Sequence, residues 1–225
     1  MVRLLLILSV LIAADKNDGD IEKARPLEGL AKAGVGAVLS SILETPCSVG
    51  GVQLNLRQQF LELSDLKIAN PKKFSEGDAI AVKKVRVEAD PKVLFSDEPA
   101  IRLIQVSGAT VNAEQSLSQG LNLKKLLDNA KGSGKDSKSH KGGSKKKWRI
   151  EKAVLDDATA NITTEMPLRK TAQKKIGYLE MTFGGKDNQG VPADEAMTQV
   201  LQTLIDKLGL FQDGGVAPLV NLLGR

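Results

Sequence analysis

One histidine, one cysteine and a few adjacent carboxylates are what this chain offers for catalysis. His140 stands inside KGSGKDSKSHKGGSKKKWR, a run of lysine, glycine and serine with no apolar residue before Trp148. A catalytic imidazole must be held within hydrogen-bond reach of its partners, and such a run buries nothing that would hold it. One cysteine and one histidine cannot supply the ligands of a zinc site, and Cys47 has no intrachain disulfide partner. In a regular strand the neighbours Asp156 and Asp157 would point to opposite faces. Asp194 and Glu195 fall where a first helical turn favours acids. Residues 132–135 share only the glycine and lysine content of a phosphate loop, and no GxGxxG follows a strand. The expectation is a protein that is not an enzyme and carries no metal and no cofactor.

Charge suggests a second kind of chemistry. The formal net charge is +5 and the basic excess gathers between Lys131 and Arg149. Lys145, Lys146, Lys147 and Arg149 are candidates for phosphate head groups or an anionic surface. Nucleic acid is the weaker partner, because aromatics make up only 3% of the 225 residues and stacking platforms are scarce. A solvated loop joining two strands is the plain alternative.

The elements that would position any site come from patterning. Runs at 61–68, 80–89 and 101–113 alternate apolar and polar residues, as strands with one buried face do. Asn70-Pro71, Asp90-Pro91 and a cluster at 96–99 close them, which predicts a meander of long antiparallel strands. A shorter strand carries Val52, Leu54 and Leu56. The alternation slips at Lys83-Lys84, between Leu103 and Ile104, and at Ser107-Gly108, so the sheet is expected to be bent. Strand patterning resumes at 148–162 and again at 175–183. Helices are predicted over 21–43, 120–130 and from Pro192 to Leu208. The last has Met197, Val200, Leu201, Leu204, Ile205 and Leu208 on one face. Residues 4–14 form an apolar run about half the roughly 20 residues of a membrane span, which suits a signal peptide or an anchor.

The phrases TPCSVGGVQLNL, LSDLKIANPKKF, AIAVKKVRVEADPKVLF, AIRLIQVSGATVNAE and GLNLKKLL occur in that order. With the closing YLEMTFGGKDNQGVPADEAMTQVLQTL, the set resembles the AsmA family of bacterial envelope proteins, over roughly 45–127 and 148–208. The resemblance implies a β-groove with an apolar concave face, an inner-membrane attachment and a periplasmic body. It also implies work on phospholipid transport and outer-membrane integrity. The apolar segment is shorter than the family's usual anchor, and the chain is far shorter than its large members.

The expected fold is α+β: a long, curved antiparallel β-sheet forming an open or half-closed groove, with an N-terminal and a C-terminal amphipathic helix. The expected organisation is a signal peptide or anchor at 1–14, a hinge and helix at 15–44, the groove domain at 45–212 with a flexible loop at 131–147, and a tail at 213–225. Candidate groove residues are Val52, Leu54, Leu56, Leu61, Leu63, Ile80, Val82, Val85, Val87, Ile101, Leu103, Val106, Val111, Leu179, Met181 and Phe183. The expected partners are phospholipid or another lipid, a membrane surface and an envelope protein. The alternatives are a domain closed by its own helices and a scaffold that binds a partner protein.

Overall fold

The computed structural model describes residues 21–55, 57–90, 100–133, 147–164, 170–183 and 190–209. In chain order the elements are α1 (Ile21–Leu43), β1 (Cys47–Ser48), β2 (Gly51–Asn55), β3 (Phe60–Ala69), β4 (Asp78–Glu88), β5 (Ala100–Ile101), β6 (Leu103–Ser116) and β7 (Gly120–Leu121). There follow α2 (Asn122–Ser133), β8 (Arg149–Ile150), β9 (Ala153–Asp156), β10 (Thr159–Thr164), β11 (Lys170–Lys175), β12 (Leu179–Met181) and α3 (Ala193–Leu208). The class is α+β, as expected.

Among the described residues the sheet has 10 strands and stays open, running from β1 and β2 through β3, β4 and β6 to β9 and β10, and then to β11 and β12, with the short β7 paired back on β6. The meander β3–β4–β6 is antiparallel throughout. The sheet as a whole is not. Strands β9 and β10 lie parallel to β6, so the wholly antiparallel sheet expected from the sequence is corrected to a mixed one. The chain leaves β6, folds back on it as the short β7, passes through α2 and β8, and then returns to the sheet on the far side of β6. A parallel neighbour needs such a crossover.

One row across the sheet governs its shape. Gly50, Asp65, Lys83, Gly108, Asp157 and Gly177 lie opposite one another, and the strand registers are the same on both sides of them. Four have left-handed backbone: Asp65 at φ 51°, Gly108 at 64°, Asp157 at 52° and Gly177 at 69°. The inward face therefore switches parity at the row. Inward residues are Leu61 and Leu63 but then Leu66 and Ile68 in β3; Val85 and Val87 but Val82 and Ile80 in β4. In β6 they are Ile104 and Val106 but Ala109 and Val111. Between them stand outward pairs: Ser64-Asp65, Lys83-Lys84, Ser107-Gly108, Asp156-Asp157 and Gly177-Tyr178, each exposed or half-buried. Aligned bulges of this kind crease a sheet along one line.

The crease settles several readings. The slip at Lys83-Lys84 is present, and the slip in β6 falls at Ser107-Gly108, while Leu103 and Ile104 continue one strand. The strand expected over 175–183 is confined to Leu179–Met181, because the left-handed Gly177 separates it from β11, which ends at Lys175. Asp156 and Asp157 are both exposed, since the left-handed Asp157 cancels the alternation that would have separated them.

At Gly108 a Cβ would lie 2.7 Å from Lys83 Cδ and 3.1 Å from its Cβ, in a conformation that L side chains avoid. Gly108→Ala is expected to cost about 2 kcal/mol and to lower the thermal midpoint by roughly 4–8 °C. Calorimetry checks this, and a Lys83→Ala background should recover only the steric part. An unchanged midpoint would contradict the account of the crease.

Below the crease a helical layer covers the inward face. Leu123, Leu126 and Leu127 of α2, Leu201, Leu204, Ile205 and Leu208 of α3, and Leu43 of α1 form one core with Ile68, Ile80, Val82, Val111, Ala160 and Ile162. Helix α1 comes close to β1: a Cβ on Gly36 would meet the Cys47 carbonyl oxygen at 2.9 Å. Gly36 thus serves the chain's own packing. The buried Asn129 ties the layer together by donating from Nδ2 to the Leu43 carbonyl at 2.8 Å. Gly209, left-handed at φ 70°, ends α3.

Candidate functional site

Above the crease the inward face is apolar over two full rows. The first runs Val52, Leu63, Val85, Val106, Leu155 and Leu179, each paired with the next. The second runs Leu54, Leu61, Val87, Ile104, Ala153 and Met181, again pair by pair. With strands about 4.8 Å apart, each row spans roughly 24 Å. The two rows are not covered alike. In the first, Val52, Leu63, Leu155 and Leu179 are buried; in the second, only Ala153 is, and the other five are half-buried.

Local packing covers the ends of this face. Val35 of α1 and Val49 pack with Val52 and Leu63 at one end. At the other, Ile150, Ala153, Phe183 and Val191 form a cluster joined by Ile101, Ile104, Trp148 and Met181 and by Ala196 and Val200 of α3. Trp148 and Val191 hold it by exchanging backbone hydrogen bonds, both 2.9 Å. Next to this cluster an open depression of about 380 Å³ lies between α2, α3 and the end of β12. It is lined by Lys131, Met181, Thr182, Phe183, Thr198, Gln199, Gln202 and Thr203.

The sequence-derived groove residues thus separate. Leu54, Leu61, Val85, Val87, Val106 and Met181 form the half-buried part of the inward face above the crease. Val52, Leu63 and Leu179 are buried on its first row. Ile80, Val82 and Val111 lie beneath the helices, so they are core residues and not groove. Leu103 is out of phase with Ile104 and Val106 and belongs to the opposite face, beside Glu88. Ile101 and Phe183 pack in the end cluster. Leu56 lies outside the described residues. Among the head-group candidates, Lys147 and Arg149 are exposed, while Lys145, Lys146 and His140 lie outside the described residues.

Sequence reasoning missed Lys131 as a lining residue and missed an asparagine junction under the sheet. Asn122 is fully buried. Its Nδ2 donates to Asn70 Oδ1 at 2.8 Å and to the Asn112 carbonyl at 2.7 Å, and its Oδ1 accepts from the amides of Glu114 at 2.9 Å and Leu123 at 2.8 Å. The Asn70-Pro71 turn, strand β6 and the start of α2 are thereby joined.

Polar chemistry elsewhere is spent on structure. Burial pushes the Cys47 thiol above its ordinary value against a hydrogen bond with Ser40, so thiolate is scarce at neutral pH. On the outer face Lys152 and Glu180 pair at 2.8 Å. The hydrogen bond from Lys152, then that from Tyr178, holds the Glu180 carboxyl below its ordinary value. Among the described residues no group of three His, Cys, Asp or Glu could hold a metal, and no helix is long and apolar enough to cross a membrane.

Compared with known proteins, the chain matches no family model and no curated sequence.

Proposed function

We propose that this chain is a non-enzymatic cell-envelope protein of AsmA type that binds lipid in a groove along this apolar face and assists phospholipid transport or outer-membrane maintenance. One observation carries the reading: the second row continues the apolar inner face to the margin of the helical layer, which touches it at its ends, and leaves five of its six side chains half-buried. Acyl chains gain about 0.8 kcal/mol per buried CH₂ and ask for apolar length, not fixed polar contacts. Roughly 24 Å of row exceeds the ~15 Å that one leaflet of chains occupies in a bilayer. The protein acts in the periplasm in this reading, attached to the inner membrane through its N-terminal segment or released by its cleavage.

The test is transfer of a fluorescent phospholipid from vesicles to the purified protein. Saturable uptake is expected; no uptake at protein concentrations up to tens of micromolar would overturn the reading.

A second reading, a scaffold that binds a partner protein by its sheet edge, is favoured by β11. Among the described residues Lys170–Lys175 pairs only with β10 and shows mostly exposed side chains. An exposed edge of this kind accepts a further strand. Stable pull-down of one envelope protein, lost when Thr171 and Gln173 are both replaced by Pro, would support it.

A further inference from the structure

We infer that the depression beside β12 is the head-group site for an anionic lipid whose chain lies along the second row. The inference rests on the lipid reading and adds the class of lipid. Continuity comes first. Met181 is both the last member of the second row and part of the depression's lining, so a chain laid on the row runs into the depression at that residue. Phe183, also in the lining, packs with Met181 in the end cluster, which makes this floor apolar.

The walls differ from the floor. Thr198, Gln199 and Gln202 come from successive turns on one flank of α3, and Lys131 comes from the last turn of α2. Among the described residues Lys131 is the only charged group in the lining. The acids nearby are turned to other tasks: Glu195 accepts from Gln199 at 3.4 Å and Asp206 accepts from Gln202 at 2.9 Å. Each glutamine keeps a second N–H, and the Thr198 hydroxyl, which donates to the Asp194 carbonyl at 2.8 Å, keeps lone pairs to accept. One cation with neutral donors and acceptors around it suits a phosphate or carboxylate that carries hydroxyls. A volume of about 380 Å³ holds a head group and not a whole lipid. The chain therefore has to leave it, and the apolar exit is Met181.

The test uses Trp148, the only tryptophan, which packs in the cluster of Phe183 and Met181. Full-length protein is titrated with short-chain phosphatidylglycerol or phosphatidylcholine bearing brominated chains, and with glycerol 3-phosphate, and Trp148 quenching or its displacement is read. Lys131 is exposed, so its variants keep the fold. Lys131→Gln should weaken phosphatidylglycerol about tenfold and phosphatidylcholine less than twofold, and Lys131→Arg should restore the former. Equal weakening of both lipids, or none, overturns the head-group site while leaving lipid binding standing. Binding of glycerol 3-phosphate as tight as that of phosphatidylglycerol overturns it in favour of a free-phosphate site. Failure of every lipid to quench the unaltered protein overturns the lipid reading itself.

Discussion

Asn122→Asp is expected to destabilise the fold by about 3–5 kcal/mol at pH 7. The substitution changes one atom: an oxygen replaces Nδ2, which now donates to Asn70 Oδ1 and to the Asn112 carbonyl at 2.8 and 2.7 Å. Both partners are acceptors, so two hydrogen bonds become two oxygen–oxygen contacts in a site with no exposure. Ionisation there is opposed by burial and by those oxygens, so the aspartate's folded-state pKa would rise above its unfolded value of about 3.9. The sign follows from the raised value. Below pH ~4 the group is protonated in both states and its O–H can donate, so the penalty is smallest. As pH rises from ~4 towards the raised folded-state pKa, stability falls by about 1.4 kcal/mol per unit. Urea unfolding of variant and parent at pH 4 and pH 7 measures this as a difference. Asn122→Ala supplies the comparison, with a loss of about 2–4 kcal/mol and no such dependence on pH. Equal stability of the aspartate variant and the parent at pH 7 would show that the junction does not hold the sheet to α2.

Val87→Lys is expected to abolish lipid uptake while leaving the protein folded. Val87 is half-buried near the middle of the second row, between Leu61 and Ile104. A lysine stem can lie along apolar surface with its ammonium in water, so the thermal midpoint should fall by only a few degrees. An acyl chain lying over the same position would have to desolvate that charge, a cost of several kcal/mol, so uptake should drop by more than about a hundredfold. The same change one layer deeper gives the opposite pattern. Val111 is 1% exposed beneath α2 and α3, so Val111→Lys should prevent folding altogether. Thermal unfolding and fluorescent-lipid transfer separate the two outcomes. Full uptake by Val87→Lys would show that lipid does not use this row.

Strand existence was legible wherever side chains alternate, and β3 and β4 match their predicted spans to within two residues. Helix α3 was equally legible from its apolar spacing and its Pro192 and Gly209 boundaries. Strand β11 was not, because KTAQKK holds one apolar residue and sits at an edge where burial imposes no alternation. The doublets Lys83-Lys84 and Ser107-Gly108 could be read as slips, but their alignment with Asp65, Asp157 and Gly177 depends on pairings between distant segments. The parallel seat of β9 and β10 depends on a crossover through α2, which local pattern does not encode. The same limit hid the junction: Asn70 and Asn122 are 52 residues apart, and nothing near either one names the other. The apolar inner face was legible in the alternation. Which part of it the helices leave open was not, because Ile80 and Val87 read alike in sequence and differ only in what packs above them.

Native mass spectrometry of the chain purified from membranes tests the central claim most directly. A folded protein that retains one phospholipid, lost on Val87→Lys, is the expected result. A folded protein that carries no lipid from the membrane, and takes none up afterwards, would contradict it.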